Sequence, residues 1–127
     1  MRELTSHKVN GLNEALAIEV LDGPGQGNAC HVYKIHGPRT IGDNGKDYAD
    51  AQCVKFQNGP IAEAGVNGIS QEALLTIVED RLIGFQSGPY ACPENGIALI
   101  KIQEALMWLQ KRTLDRVKRG VEGTSAK

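Results

Sequence analysis

The stretch "CPENGIALIKIQEALMWLQKRTLDRVKRG" (residues 92–120) decides the fold of this chain. Pro93 is typical of the first turn of a helix and Gly120 of its end, and no proline interrupts the 26 residues between them. At 1.5 Å per residue, this predicts a helix of about 40 Å. Apolar residues lie nearly all round this helix from Ile97 to Leu109, so we expect it to pack against more than one neighbour.

A second helical pattern lies immediately upstream. Ser70 is a good N-cap, and Glu72 adds a negative charge to the first turn. Helical spacing of apolar residues then continues to Phe85, and Gly88-Pro89 stops it, which predicts a helix over residues 71–87. The short connection "GPYACP" makes the two helices a hairpin, and we expect other copies of the chain to bury its apolar surface.

The first 69 residues have a different pattern. Period-two alternation with β-branched and aromatic residues predicts strands in "ALAIEVL" (15–21), "ACHVYKI" (29–35) and "AQCVKFQ" (51–57). Glycine, proline and asparagine fill the connections, of which residues 36–50 form a long polar loop. The predicted class is α+β: a small N-terminal antiparallel β domain of three or four strands (1–69), followed by a long helical hairpin (70–127).

Composition narrows the possible functions. The 127 residues are 41% hydrophobic and 23% charged, which is ordinary for a globular protein. Cys30, Cys53 and Cys92 are widely spaced and match no zinc pattern, so we expect reduced thiols and no metal. The N-terminus lacks a signal-peptide core and no apolar run could span a membrane, so we expect a soluble intracellular protein with no membrane partner.

Positive charge is concentrated at the C-terminus. Residues 1–110 carry 8 Lys/Arg against 13 Asp/Glu, whereas residues 111–127 carry 6 against 2. Arg112 and Arg116 share a helix face, and Arg119 follows near it. Relief of the helix dipole explains one or two of these cations. The remainder, with the glycine-rich "GVEGT" that follows, favours a compact site for a phosphorylated ligand, while the acidic body disfavours DNA.

No pattern typical of catalysis or of a cofactor occurs. The three histidines are isolated, and no nucleophile, zinc or P-loop motif is present, so binding without turnover fits better than catalysis and no cofactor is expected. Phe85, Tyr90 and Asn95 surround the hairpin bend, where an aromatic ring and an amide could hold a purine. The alternative is that Phe85 fills a core and Asn95 starts a helix. Trp108 is interpreted as a core or interface residue.

Residues 70–124 resemble a known hairpin. The segments "FQSGPYACPEN", "EALMWLQKRT" and "RGVEGT" are similar to the hairpin shared by two phage counter-defence families, Thoeris anti-defence one and anti-CBASS two. The segments "GQGNACHVYKI" and "CVKFQNGPI" extend the resemblance to the N-terminal domain of the Thoeris family. These families are sponges that sequester immune signalling nucleotides without cleaving them, in the cytoplasm of the infected bacterial host.

The resemblance implies ligands, assembly and roles for individual residues. It implies dimers or hexamers that bind glycocyclic ADP-ribose isomers and cyclic di- or trinucleotides. Phe85 would stack on the adenine, Asn95 would contact the base or ribose, and Arg112 and Arg116 would hold the pyrophosphate. Asn28 and His31, with Tyr33, would add contacts from the N-terminal domain. Gly123 and Thr124, with Arg119, would form a separate cyclic-oligonucleotide site.

Two other classes of function compete with this one. The basic end of the second helix is also typical of an oligomeric hairpin protein that binds nucleic acid, in which case affinity falls steeply with salt. A hydrolase of cyclic nucleotides is disfavoured because no acid/base pair is found. Recovery of intact ligand from a heated complex distinguishes a sponge from an enzyme.

Overall fold

The computed structural model describes residues 2–41 and 47–127; for Gln26, 38–41 and 47–50 it describes the backbone alone. The chain forms two compact units. The sheet unit comprises Met1–Asn58 with Asn67–Ile69, and the helical unit comprises Gly59–Val66 with Ser70–Lys127. The fold is α+β, with an antiparallel sheet followed by helices, as the sequence predicts.

The sheet unit is a four-stranded antiparallel meander. Its strands are β1 (Arg2–Leu4), β2 (Ala17–Val20), β3 (Val32–Ile41) and β4 (Asp47–Lys55), in that spatial order, and a short helix α1 (Gly11–Ala15) lies between β1 and β2. Opposite pairs such as Ile18 with Ile35 fix the register. Antiparallel neighbours in chain order need only hairpin connections, which explains the simple topology.

The expected loop over residues 36–50 is wrong for most of its length. Strand β3 continues to Ile41 and β4 begins at Asp47, with backbone pairing from His36 through Ile41 and an irregularity between His36 and Arg39. Ladder hydrogen bonds between two adjacent strands hold a polar sequence in extended form even where no apolar alternation marks it. Residues 42–46 of that expected loop lie outside the described part of the chain.

Among the residues whose burial is described, Val20 is the most deeply buried residue of the sheet unit, at 1% exposed. The Tyr33 and Phe56 rings pack edge to face, with centroids 5.7 Å apart. Gly68 lies directly against the backbone of Phe56, since a Cβ there would come within 2.4 Å of the Phe56 carbonyl carbon. Residues 67–69 therefore return to the sheet and close this unit.

We expect Val20→Ala to lower the free energy of unfolding by about 1–3 kcal/mol, because it removes two buried methyl groups and leaves a cavity. Val9→Ala is the matched control, since Val9 is 84% exposed. Urea denaturation followed by circular dichroism measures both variants. Equal losses in the two variants would contradict the assignment of Val20 to the core.

The helical unit is a hairpin of α3 (Gln71–Gln86) and α4 (Pro93–Lys118), preceded by one turn, α2 (Ile61–Ala64). The expected helix boundaries are confirmed. The Ser70 hydroxyl accepts from the Ala73 N–H at 3.2 Å, Pro93 starts α4, and Gly120 follows its end with φ of +73°. The 26 residues of α4 span about 39 Å.

Candidate ligand-binding site

The C-terminal half of α4 forms one side of an open groove, which we call the basic groove. Its volume is about 590 Å³, and it is lined by Trp108, Lys111, Arg112, Asp115, Arg116, Arg119 and Lys127. The arginine spacing of four and three residues places these side chains on one side of the helix. The groove thus brings together Arg112 and Arg116, which the resemblance implies for pyrophosphate, with Arg119, which it implies for a different ligand.

The cations of the basic groove differ in what they already bind. Lys111 Nζ forms an ion pair with Asp115 at 3.0 Å, and Arg119 Nη1 donates to the Lys127 carbonyl at 2.6 Å. The Arg116 guanidinium pairs with Glu122 at 2.9 Å. The Arg112 side chain is exposed and, among the residues described, has neither an ion-pair nor a hydrogen-bond partner. Arg112 is therefore the arginine of this groove whose whole donor fork is available to an anion.

A second groove lies at the hairpin bend, and we call it the aromatic groove. Its volume is about 420 Å³, and it is lined by Val78, Arg81, Leu82, Phe85, Tyr90 and Asn95. Phe85 is 41% exposed. The Arg81 guanidinium carbon lies 5.4 Å from the centre of the Phe85 ring, within cation–π range. An exposed ring, a side-chain amide and a cation together suit a flat, electron-rich base.

The bend is held by paired hydrogen bonds between α3 and the start of α4. Gln86 Nε2 donates to the Cys92 carbonyl, and the Cys92 N–H donates to Gln86 Oε1, both at 3.0 Å. Gly96 packs against Gln86, since a Cβ there would lie 3.1 Å from Nε2. These contacts fix the connection that presents Tyr90 and Asn95 to the aromatic groove.

The two grooves lie toward opposite ends of α4. Asn95 and Arg112 are 17 residues apart in α4, which corresponds to a rise of about 26 Å along a regular helix. A ligand the size of ADP-ribose cannot contact both residues within one chain. A pocket that unites Phe85 with Arg112 therefore needs a second copy.

The segment of residues 120–127, which we call the tail, folds back on the helical unit. The Ala62 N–H donates to the Gly123 carbonyl at 2.9 Å. Gly123 has φ of +80°, and a Cβ there would lie 2.9 Å from Ile61 Cγ1, so only glycine fits. The Thr124 hydroxyl donates to the Val121 carbonyl and accepts from the Ala126 N–H. The tail is a turn held by hydrogen bonds, and its role as a ligand site stays a prediction.

The predicted ligand residues of the sheet unit occupy different environments. Asn28 is exposed, with φ of +67°, whereas His31 is 7% exposed and its Nδ1 lies 4.0 Å from Asp22 Oδ2. Desolvation raises the pKa of the Asp22 carboxyl, but the N–H groups of His31 and Val32 and the nearby imidazole bring it below its ordinary value overall. His31 therefore lies inside the unit, and ligand contact there stays a prediction.

Several lining residues were not predicted from the sequence, among them Arg81, Trp108 and Lys127. Arg81 lies four residues before Phe85, a spacing that could have revealed the cation–π pair. Trp108, interpreted as core or interface, is exposed on this chain and lines the basic groove. Lys127 reaches that groove only because the tail folds back, which no local pattern indicates.

Apolar side chains remain exposed along the hairpin. Leu106 is the buried apolar residue among those described in α4. More than 40% exposed are Ile77, Val78, Ile83, Phe85, Ile97, Ile100, Met107, Trp108, Leu114 and Val117. Such a large uncovered apolar surface is typical of an interface rather than of a free helix.

Comparison with known proteins assigns the family. The model of the Acb2/Tad1 hairpin domain matches residues 50–114, just over half of the chain, from β4 through most of α4. This chain belongs to the Acb2/Tad1 hairpin family. "Thoeris anti-defense 1" of Bacillus phage SBSphiJ7 is 49% identical over 83 residues, which are 65% of this chain and 58% of that relative's length. The resemblance stated from the sequence is therefore confirmed at the level of the family.

The Acb2/Tad1 match covers the whole aromatic groove and, of the basic groove, the part that contains Trp108, Lys111 and Arg112. Arg116 and the tail lie beyond its end. Among the described residues no helix is long and apolar enough to cross a membrane. In that same part of the chain, no cluster of three His, Cys, Asp or Glu side chains could hold a metal ion.

Proposed function

We propose that this protein is a phage anti-defence sponge that binds immune signalling nucleotides and withholds them from their effectors without cleaving them. Its ligands are glycocyclic ADP-ribose isomers and, at a separate site, cyclic di- or trinucleotides. It thereby blocks Thoeris immunity, and CBASS immunity where that system is present, in the cytoplasm of the infected host. Membership of the Acb2/Tad1 hairpin family and the anti-defence name of a relative support this proposal.

The observation that carries the proposal is the chemical complementarity of the two grooves. The aromatic groove offers a ring, an amide and a cation, which suit an adenine and its ribose. The basic groove offers the free guanidinium of Arg112, which suits a pyrophosphate. Glycocyclic ADP-ribose carries both an adenine and a pyrophosphate, and the separation of the two grooves along α4 supports a pocket shared between two chains.

The separation of the two grooves also suggests how two copies of the chain would assemble. Antiparallel α4 helices of two copies would bring the aromatic groove of one beside the basic groove of the other, at each end of a two-fold interface. The exposed apolar residues of the hairpin would then be buried between copies. The proposed unit is a dimer, or a hexamer made of three such dimers.

We expect light scattering at micromolar concentration to give the mass of a dimer or a hexamer of 13.7 kDa chains. Replacing the exposed Ile100 with Glu should shift the mass toward a single chain, because a charge in an apolar interface is costly. Lys101→Glu, at the next and also exposed position, is the control and should leave the mass unchanged. A wild-type chain that is entirely monomeric would exclude the shared pocket.

The decisive experiment for sequestration is recovery of intact ligand. The protein is saturated with glycocyclic ADP-ribose, freed of excess ligand by gel filtration, heated to unfold it, and the supernatant is analysed by chromatography. A sponge releases the starting ligand in an amount equal to the number of sites. Recovery of a linear or hydrolysed product would mean that the protein is an enzyme.

The salt dependence of the affinity for glycocyclic ADP-ribose tests the nucleic-acid alternative. Neutralising many phosphates makes log affinity fall steeply with log salt, whereas one pyrophosphate involves only two charges. Two of the cations in the basic groove are already paired with carboxylates, which favours the small ligand. Steep salt dependence, together with tight binding of an unrelated oligonucleotide, would favour the alternative.

A further inference from the structure

The Arg116 guanidinium is enclosed by the tail. Its Nε donates to Glu122 Oε2 at 2.9 Å, its Nη1 to the Ala126 carbonyl at 2.7 Å, and its Nη2 to the carbonyls of Val121 at 3.0 Å and Thr124 at 3.1 Å. Arg116 is only 8% exposed. A guanidinium has five N–H groups, so these four bonds leave one of them for any other partner.

This geometry conflicts with direct binding of a pyrophosphate by Arg116. A bidentate phosphate contact uses two N–H groups on one edge of the guanidinium. Arg116 could supply them only by releasing at least one of its tail acceptors, which would then lose its hydrogen bond beside a buried cation. Arg112, one helical turn earlier, can make the same contact with no bond to break.

We propose that Arg116 is a positioning residue that holds Gly123 and Thr124 in place, and that the pyrophosphate is contacted by Arg112 instead. This inference rests on the proposed function. It assigns Arg116 to the cyclic-oligonucleotide site at the tail and removes it from the cyclic ADP-ribose site.

The tail depends on Arg116 because its other contacts are few. The Thr124 N–H and hydroxyl both donate to the Val121 carbonyl, which Arg116 also binds. The Ala62 N–H holds Gly123 from the other side. Loss of the guanidinium would leave one carboxylate and three carbonyls without their shared donor, so the turn would open locally while the helices remained folded.

Amide hydrogen exchange of this whole chain tests the positioning role without any ligand. The N–H groups of Val121 and Thr124 are bonded to the carbonyls of Arg116 and Val121, and both should be protected in the wild type. Arg116→Ala should speed their exchange at least tenfold. Lys118→Ala is the control, because it removes an exposed cation from the same turn and should leave exchange unchanged. Unchanged tail protection in Arg116→Ala would overturn the proposal.

Ligand binding then separates positioning from direct contact. Arg116→Ala should weaken cyclic trinucleotide binding at least tenfold and change glycocyclic ADP-ribose affinity less than threefold. Glu122→Ala should also weaken trinucleotide binding. If Arg116 instead bound the pyrophosphate directly, Glu122→Ala would free its guanidinium and tighten glycocyclic ADP-ribose binding. That tightening, or a tenfold loss of glycocyclic ADP-ribose affinity in Arg116→Ala, would overturn the inference.

The measurements distinguish failure of the proposed function from failure of the positioning role of Arg116. If the wild-type protein binds neither nucleotide, the proposed function is wrong, while the exchange result still reports whether Arg116 holds the tail. If the wild type binds both and Arg116→Ala leaves the tail protected, the function stands and the positioning role is wrong. Unchanged melting temperature and mass of each variant show that the comparison is between folded proteins.

Discussion

Arg112→Ala is expected to reduce the affinity for glycocyclic ADP-ribose ten- to a hundredfold, because a charge-assisted contact to phosphate contributes about 1.5–3 kcal/mol. The substitution should not affect folding, since Arg112 is exposed and has no partner among the described side chains. Isothermal calorimetry on the wild type and the variant measures the loss.

Two further variants test whether the loss of affinity is specific to the Arg112 guanidinium. Arg112→Lys keeps the charge but replaces the planar fork with a point charge, so it should recover only part of the affinity. Lys101→Ala removes a cation from the same helix outside the basic groove and should bind like the wild type. Unchanged affinity in a folded Arg112→Ala protein would refute the assignment of the pyrophosphate to this residue.

Mixing two inactive variants is expected to restore binding. Phe85→Ala should weaken the affinity for glycocyclic ADP-ribose about five- to a hundredfold by removing a stacked ring. If one pocket takes Phe85 from one chain and Arg112 from another, a mixed dimer of Phe85→Ala and Arg112→Ala has one doubly altered pocket and one intact pocket. Random pairing would then restore full affinity at about a quarter of all sites.

The restored sites are measured by calorimetry after the two variants are unfolded together and refolded, or co-expressed with different affinity tags. The matched control is a mixture of Phe85→Ala with Asn95→Ala. Both lie in the aromatic groove of one chain, so each mixed dimer has one altered residue in each pocket and no intact pocket. Failure of the first mixture to regain high-affinity sites, with mixed dimers confirmed by mass, would place the whole pocket in one chain.

The helical hairpin could be predicted closely because its boundaries are set by local chemistry. Ser70 caps α3, Pro93 starts α4, and Gly120 takes the positive φ that ends it. Each of these signals acts within one helical turn and is legible in the sequence. The arginine stripe was predictable for the same reason, since spacings of three and four residues share a helix face.

The sheet unit was predicted less well because strand pairing is non-local. The strand β1 and the extension of β3 and β4 through residues 36–41 and 47–50 have no strong pattern of their own. The backbones of these strands are held by partners elsewhere in the sequence, such as Arg2 opposite Val20. When only the alternation of apolar and polar residues is considered, polar strands with an irregular register are predicted as loops.

The sequence by itself determined the α+β class, the long α4 helix, the arginine stripe and the aromatic residues at the bend. These follow from interactions between residues at most a few positions apart. Only the tertiary structure decided that Arg116 is buried by the tail while Arg112 stays free, although both residues occupy the same stripe. The reason is physical: the acceptors that enclose Arg116 lie five to ten residues beyond it, past the end of the helix, and only the return of the chain at Gly120 brings them back.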